Sequence, residues 1–469
     1  MMLSAIGRTR RRIIGLLIAA ICCGPVSAQI GLWTSAAELV DKPMSGLPWE
    51  SVKAAADAAD PGMAFVSDQN NNNNAQILAA AIVYARSGDT TYQTKVTAAC
   101  EKLVSAGYPA LAPGISEEDN RTLAWARETG AYALAADLVG YRTPEFETWL
   151  RRMAEEYIAY DERTLLHMFH VRPNNWGTHA FGSLCAIYAY LQDTTSLGEL
   201  RDYWIQAVVG PKPDELEYGD DLSWHADPSN LRLINPKGAV KQGLNIDGIT
   251  PDDMRRNGSF SNPPPTSSTT YHWGALQGQV SGGRILERMG MPIWDVADSA
   301  LYRAGYALQV RWENSYGGWK AEGDDLWLLP FFDSVYGTHW SEGQPERVWK
   351  HGKNAGWPYV VWDGTISSSE EQGSFNPGIY ELLQNYPNPF NPVTRISLSI
   401  AETSPVHLAV YDLVGREVST LLDGVEEAGE HILVWEAVNR EGTQLPSGIY
   451  LCRLLAGYYQ KTLKMTVLR

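Results

Sequence analysis

Apolar residues change their period partway along this chain, and two kinds of core follow from that change. Up to about residue 310 they recur at helical spacing, in runs joined by short polar turns. After about Asn385 they alternate one by one, in short runs cut by Gly, Pro and Asn. A period near 3.6 specifies helices with a buried stripe, and a period of two specifies strands with a buried face. The chain is therefore expected to be mainly α, with a separate small β-sandwich at its C-terminal end.

The helical part reads as a series of pairs. AQILAAAIVYARSG (75–88) is apolar nearly all round, which marks a buried helix. TYQTKVTAACEKLVSAG follows a short Gly-Asp-Thr break. NRTLAWARETGAYALAADLVG and EFETWLRRMAEEYIAY repeat the layout, as do NNWGTHAFGSLCAIYAYL and LGELRDYWIQAVV. Such pairs joined by short turns predict an α/α toroid or solenoid. From Gly210 to Thr270 the pattern gives way to Gly, Pro, Asn and Asp, and Pro263, Pro264 and Pro265 exclude a helix interior there. Loops this long are usually functional or mobile. Helix resumes at TYHWGALQGQVSGGRILERMG and at WDVADSALYRAGYALQV.

The ends have their own character. Arg8, Arg10, Arg11 and Arg12 precede a short apolar run, Ile13 to Cys22, and then the small residues Val26, Ser27 and Ala28. That order predicts a secretory signal peptide over 1–28, with an apolar run too short to span a bilayer. Residues 29–366 form the expected helical domain, 367–384 a Ser/Glu/Gly-rich linker, and 385–469 the sandwich. Past the leader only Cys100, Cys185 and Cys452 remain, widely spaced. One disulfide between the first two and buried free thiols both fit, and the spacing gives no zinc cluster. Formal net charge is −16, a poor match to nucleic acid. Loss of the leader's arginines makes the chain more acidic still, so any polyanion must meet a local basic or amide-lined patch.

Three clusters carry chemistry. Arg172-Pro173-Asn174-Asn175-Trp176-Gly177-Thr178-His179 reads as a helix start at Pro173-Asn174. Asn175 and His179, four apart, then share a face. Asp247-Gly248 is followed by Pro251, Asp253 and Arg256. Tyr271-His272-Trp273 opens a helix whose next turn carries Gln277.

Two resemblances attach to these residues. The stretches SDQNNNNNAQILAAAIVYARSGDTTYQ, ALQGQVSGGRILERMGMPIWDVADSALYRA and GDDLWLLPFFDSVYGT, with the double Asn beside Trp and His, make residues 32–365 resemble the alginate-lyase family of helical-toroid polysaccharide lyases, which includes mannuronate and glucuronan lyases. NYPNPFNP, YDLVGREV and SGIYLCRL make the last 85 or so residues resemble the C-terminal sorting domain of type IX secretion cargo, in which the sandwich is immunoglobulin-like.

The first resemblance implies β-elimination on a uronic-acid polymer such as alginate or glucuronan, without cofactor or metal. Removing the C5 proton puts charge beside an ionised carboxylate, so neutral donors must offset it. Asn175 is assigned that role. Tyr271 is the acid/base; an ordinary phenol has a pKa near 10 and needs a cation, which Arg256 supplies. His179 is a second acid/base. Asn174, Trp176, His272, Trp273 and Gln277 are assigned to substrate binding, and Trp224 and Trp327 are further candidates for stacking on sugar. One departure stands out: many relatives read Asn-Asn-His with Trp three residues later, whereas here Trp176 and His179 are exchanged. If His179 drops behind the site, Tyr271 makes both proton transfers. The second resemblance implies recognition by the type IX machinery and a secreted or surface-attached product exported through the periplasm.

Two other functions fit the same residues. A glycoside hydrolase on a helical fold would use carboxylates such as Asp220, Asp221, Asp324 and Asp325. A non-catalytic surface protein would bind the polymer without shortening it.

Overall fold

The computed structural model describes residues 30–63, 71–107, 121–156, 164–265, 271–342 and 351–362. Towards the C-terminus it describes 380–382, 385, 388, 390, 392–400, 402–427, 429–457 and 459–467. The predicted leader and most of the predicted linker lie outside the described residues.

The first part is mainly helical. Its helices are α1 (Ala36–Leu39), α2 (Leu47–Ala58), α3 (Asn73–Ser87), α4 (Thr90–Ala106), α5 (Arg121–Val139), α6 (Pro144–Glu155), α7 (Leu165–Val171), α8 (Asn175–Tyr190) and α9 (Thr194–Val209). A minimal hairpin follows, β1 (Val240–Lys241) with β2 (Leu244–Asn245). Then come α10 (Pro251–Met254), α11 (Tyr271–Arg288), α12 (Val296–Tyr306), α13 (Glu313–Tyr316) and α14 (Leu328–Tyr336). Local chemistry sets many ends. Asp89 accepts a hydrogen bond from Thr91 N at the start of α4, Thr143 accepts one from Phe146 N ahead of Pro144, and Gly88 closes α3 in a left-handed conformation.

Contacts link α2 to α3, α3 to α5, α5 to α8 and α8 to α11. The helices in the middle of this row are buried on nearly every face, and α8 is interior from Gly177 to Tyr190, which is why their sequences lack a polar stripe. Small residues let the row close up. The Cα of Ser183 lies 2.8 Å from where a Cβ on Gly130 would sit, and Ser183 donates to Ala126 O across the same helix pair (2.7 Å). A Cβ on Gly278 of α11 would meet the Thr178 carbonyl oxygen of α8 at 2.0 Å.

Two chain ends seal the helical core. Asp137 on α5 accepts from the backbone N–H groups of Ile30, Gly31 and Leu32 at 2.8–2.9 Å. The segment 351–362 returns to α3, where Trp357 Nε1 donates to Ala75 O (2.7 Å) and Lys353 O accepts from Asn74 Nδ2 (3.0 Å).

The C-terminal part is built of strands: β3 (Glu381–Leu382), β4 (Thr394–Ile400), β5 (Ser404–Tyr411), β6 (Glu417–Glu426), β7 (Gly429–Trp435), β8 (Gly448–Ala456) and β9 (Tyr459–Val467). They form a three-stranded sheet, β3-β4-β7, and a four-stranded sheet, β6-β5-β8-β9, antiparallel throughout. Leu398, Leu408, Leu454 and Met465 lie in one core that shares no residue with the helical one. Tyr380 and β3 already belong to this unit, so its structure starts a few residues before the predicted boundary at Asn385. Cys100, Cys185 and Cys452 are free and buried; the Cys100–Cys185 bridge that the spacing allowed is not formed.

Candidate functional site

The start of α8 organises the site. Asn174 caps the helix: its Oδ1 accepts from Trp176 N (3.1 Å) and its Nδ2 donates to Asp252 Oδ2 (2.9 Å). Asn175 is the first helical residue. Its N–H donates to Asp253 Oδ1 (2.9 Å), and its Oδ1 accepts from Arg256 Nη1 (2.9 Å). Its Nδ2 faces α11 at Gly274 and has no hydrogen-bond partner among the described residues. Tyr271, half-buried, begins α11, and the Arg256 guanidinium lies 3.6 Å from the centre of its ring. The turn after α10 and the start of α11 thus bring Arg256 and Tyr271 together with Asn175, which lies 81 residues before Arg256.

Carboxylates hold this group from behind. Asp252 and Asp253 on α10 are each 1% exposed. Asp252 accepts from Arg255 Nε (2.5 Å), from Gly219 N (3.1 Å) and from Asn174, and that pairing with Asp252 raises Arg255 above the usual guanidinium range. Burial pushes the Asp253 carboxyl up to about 8, with the Asn175 N–H and the Arg256 charge pulling the other way. Thr250, one residue ahead of α10, donates its N–H to His272 Nδ1 (3.2 Å), and its hydroxyl meets the same nitrogen at 2.7 Å.

The remaining candidates sit elsewhere. His179 is fully buried one turn inside α8. Burial, with the Arg127 charge nearby, keeps its ring neutral, well below the usual imidazole range. Asn354 lies within reach, yet among the described residues neither ring nitrogen is held by a well-formed hydrogen bond. As placed, His179 is an interior group and not an accessible proton donor. His272 is interior too: its Nε2 donates to Ala304 O (3.1 Å), and burial lowers it to about 4. Trp273 donates to Trp319 O (3.0 Å). Gln277 donates to Asp325 Oδ1 (2.6 Å) and accepts from Lys353 N (3.1 Å). Asn174, His272, Trp273 and Gln277 therefore spend their polar atoms on the fold instead of presenting them to a ligand. Trp224 and Trp327 are equally buried. Trp176 alone of the five binding candidates is half-exposed, with Arg172 5.4 Å from its ring centre.

Asp252 and Thr250 escaped the sequence reading. Pro251-Asp252-Asp253 did carry a signal, since acidic residues behind a Pro at a helix start mark a structured turn inside an otherwise irregular loop. Three of the hydrolase candidates are also engaged: Asp324 and Asp325 accept from Gln277 Nε2 (3.4 and 2.6 Å), and Asp221 accepts from Ser223 N (2.9 Å) and Ser259 Oγ (2.7 Å).

Residues 384–468 match the secretion system C-terminal sorting domain family. No curated protein matches the chain. Among solved structures, PorZ, a surface component essential to the type IX secretion system of Porphyromonas gingivalis, is 20% identical over 19% of this chain and 11% of its own, with a TM-score of 0.15. Latent dimeric PorU from the same organism is 21% identical over 19% and 10%, at 0.17. The chain thus spans about a tenth of the length of either protein. The alkylpurine DNA glycosylase AlkC of Pseudomonas fluorescens, bound to abasic-site DNA, covers 94% of this chain and 99% of its own at 10% identity and a TM-score of 0.17. Scores this low carry no common architecture. The sorting domain directs export by type IX secretion to the cell surface or beyond, and no helix among the described residues is long and apolar enough to cross a membrane.

Proposed function

We propose that the helical domain is a polysaccharide lyase that cleaves a uronic-acid polymer, of the alginate or glucuronan type, by β-elimination. The observation that carries this reading is the grouping of Asn175, Arg256 and Tyr271, with Arg256 touching both of the others. In this reading the substrate carboxylate lies against Asn175 Nδ2, which offers N–H donors and no charge of its own. Arg256 lies over the Tyr271 ring and bonds Asn175, so it places one positive charge next to the base and the bound carboxylate. The phenolate takes the C5 proton, the C4–O4 bond breaks, C4 and C5 become doubly bonded, and the phenol returns a proton to O4. Tyr271 makes both transfers because His179 is sealed in the interior. The row α3-α5-α8-α11 supports an α/α toroid with these helices as its inner wall. The two antiparallel sheets support an immunoglobulin-like sandwich for the sorting domain.

The test is to incubate the purified mature protein with alginate blocks, glucuronan and a hyaluronan control and to follow ultraviolet absorbance from the new double bond. Absorbance should rise with one uronate polymer and fall by about 100-fold or more in Tyr271→Phe. Reducing ends without absorbance would mean a hydrolase. Binding without any cleavage would mean a non-catalytic surface protein.

A further inference from the structure

Asp253 has a proton inventory that does not balance if it is ionised. Its Oδ1 accepts the Asn175 N–H, while its Oδ2 is buried and receives no well-formed hydrogen bond among the described residues. A bare carboxylate oxygen in that position is costly. The Thr250 side chain is within hydrogen-bonding reach of the carboxyl, where a donated proton would pull the carboxyl back down, but its single hydroxyl proton is committed elsewhere. His272 Nε2 faces the Ala304 carbonyl, which only accepts, so Nε2 carries the ring proton. Nδ1 is then an acceptor, and Thr250 Oγ1, 2.7 Å away, donates to it. Thr250 has nothing left to give Asp253, but it can accept.

We infer that Asp253 is a positioning residue held as the neutral acid: its Oδ1 fixes the Asn175 backbone, and its own proton turns towards Thr250, so that Asn175 is anchored without a negative charge being placed behind a site for a polyanion. The inference rests on the lyase reading for its bearing on catalysis, but not for the state of Asp253 itself. The charged and titratable groups around it fit. Its own segment supplies Asp252, Arg255 and Arg256; α11 supplies Tyr271 and His272; the long loop supplies Tyr218, His225 and Asp221, which act on Asp252 or Arg255. Asp252 already pairs with Arg255 (2.5 Å). A second carboxylate would oppose Arg256, the cation nearest the proposed substrate.

The sign of the pH effect follows. A carboxyl raised on folding to about 8 contributes stability that is present at low pH and is lost as pH climbs from the ordinary carboxylate range through that value. Asp253→Asn keeps an acceptor for Asn175 N–H and a donor for Thr250, and it cannot ionise. The full mature chain, Asp253→Asn and Asp253→Ala would be compared for unfolding midpoint between about pH 5 and pH 9, and for kcat and KM on the cleaved polymer. The midpoint of Asp253→Asn should gain on the parent as pH rises towards about 8 and then run level with it. Its kcat near neutrality should stay within a few-fold and lose its alkaline fall, whereas Asp253→Ala should lose about 100-fold. Parallel midpoints across the range would overturn the neutral acid. Equal kcat in the Asn and Ala variants would overturn the positioning role. If the parent makes no unsaturated product, the lyase reading fails, and the midpoints still decide the state of Asp253.

Discussion

Asn174 and Asn175 are neighbours of the same type with opposite employment. The Asn174 amide is consumed at both ends by the helix start and Asp252. Asn175 accepts from Arg256 and leaves its Nδ2 free among the described residues. Asn174→Ala should therefore cost stability, about 1 kcal/mol for the cap, and the lost donor to Asp252 adds to that. Asn175, 2% exposed, also holds Arg256, so Asn175→Ala should lower the unfolding midpoint by the equivalent of about 1–3 kcal/mol and reduce kcat by about 100-fold or more, as thermal melts and absorbance rates on the two purified variants would show. The pair itself was legible, because Pro-Asn before an apolar run announces a helix start. The fates of His179, His272, Trp273 and Gln277 were not. Helical spacing puts His179 on the Asn175 face, one turn or about 5.4 Å further along, and both side chains are buried, Asn175 at 2% and His179 at 0% exposed. His272, Trp273 and Gln277 are held by Ala304, Trp319 and Asp325, partners so distant in sequence that no local pattern points to them.

At the scale of elements, the site depends on how closely α8 and α11 approach, since one carries Asn175 and the other Tyr271. Gly278 and Gly182 set that approach: the Gly278 carbonyl oxygen lies 2.8 Å from a Cβ built on Gly182. Gly278→Ala would drive a methyl into the α8 backbone and should cost about 1–3 kcal/mol, the usual range for overpacking. It should also lower kcat, because the two helices must part. A melt together with a rate would check both; a stable, fully active variant would mean that the crossing does not hold the site. Helices and strands were readable from their periods, and β5, β8 and β9 fall where alternation placed them. The turn at Ala297, Asp298 and Ser299 was not readable. All three adopt left-handed φ of 51–55°, which non-glycine residues rarely do. Arg303 holds the turn by donating to the carbonyls of Ala297 and Asp298 (3.0 and 3.1 Å) while also bonding Asn235 and Asp247 of the long loop. An arginine inside an apolar helix gives no hint of that duty.

For the molecule as a whole, the helical and β-rich parts have separate cores. They do touch: Arg395 of β4 lies over the rings of Tyr302 and Tyr336 (4.5 and 5.5 Å) and donates to Ser299 Oγ (3.2 Å), without joining the helical core. Deleting residues 384–468 should abolish delivery to the cell surface, as fractionation of the producing cells would show. The purified remainder should keep its rate on polymer. Continued surface delivery would contradict the sorting assignment, and loss of rate would mean that the two parts act together.

The three buried thiols take on a meaning once the route of export is known. The periplasm is oxidising, and an accessible thiolate there is an invitation to mispairing. Cys100 lies among α4 residues, Cys185 in α8 and Cys452 in β8, each out of reach of solvent, and burial pushes all three thiols up, Cys452 to about 12. In the native chain the sulfurs are chemically silent, and in the unfolded chain they are not. The fold is thereby a protection for these three thiols: a molecule that packs promptly keeps Cys100, Cys185 and Cys452 reduced, and one that lingers unfolded exposes them to mispairing.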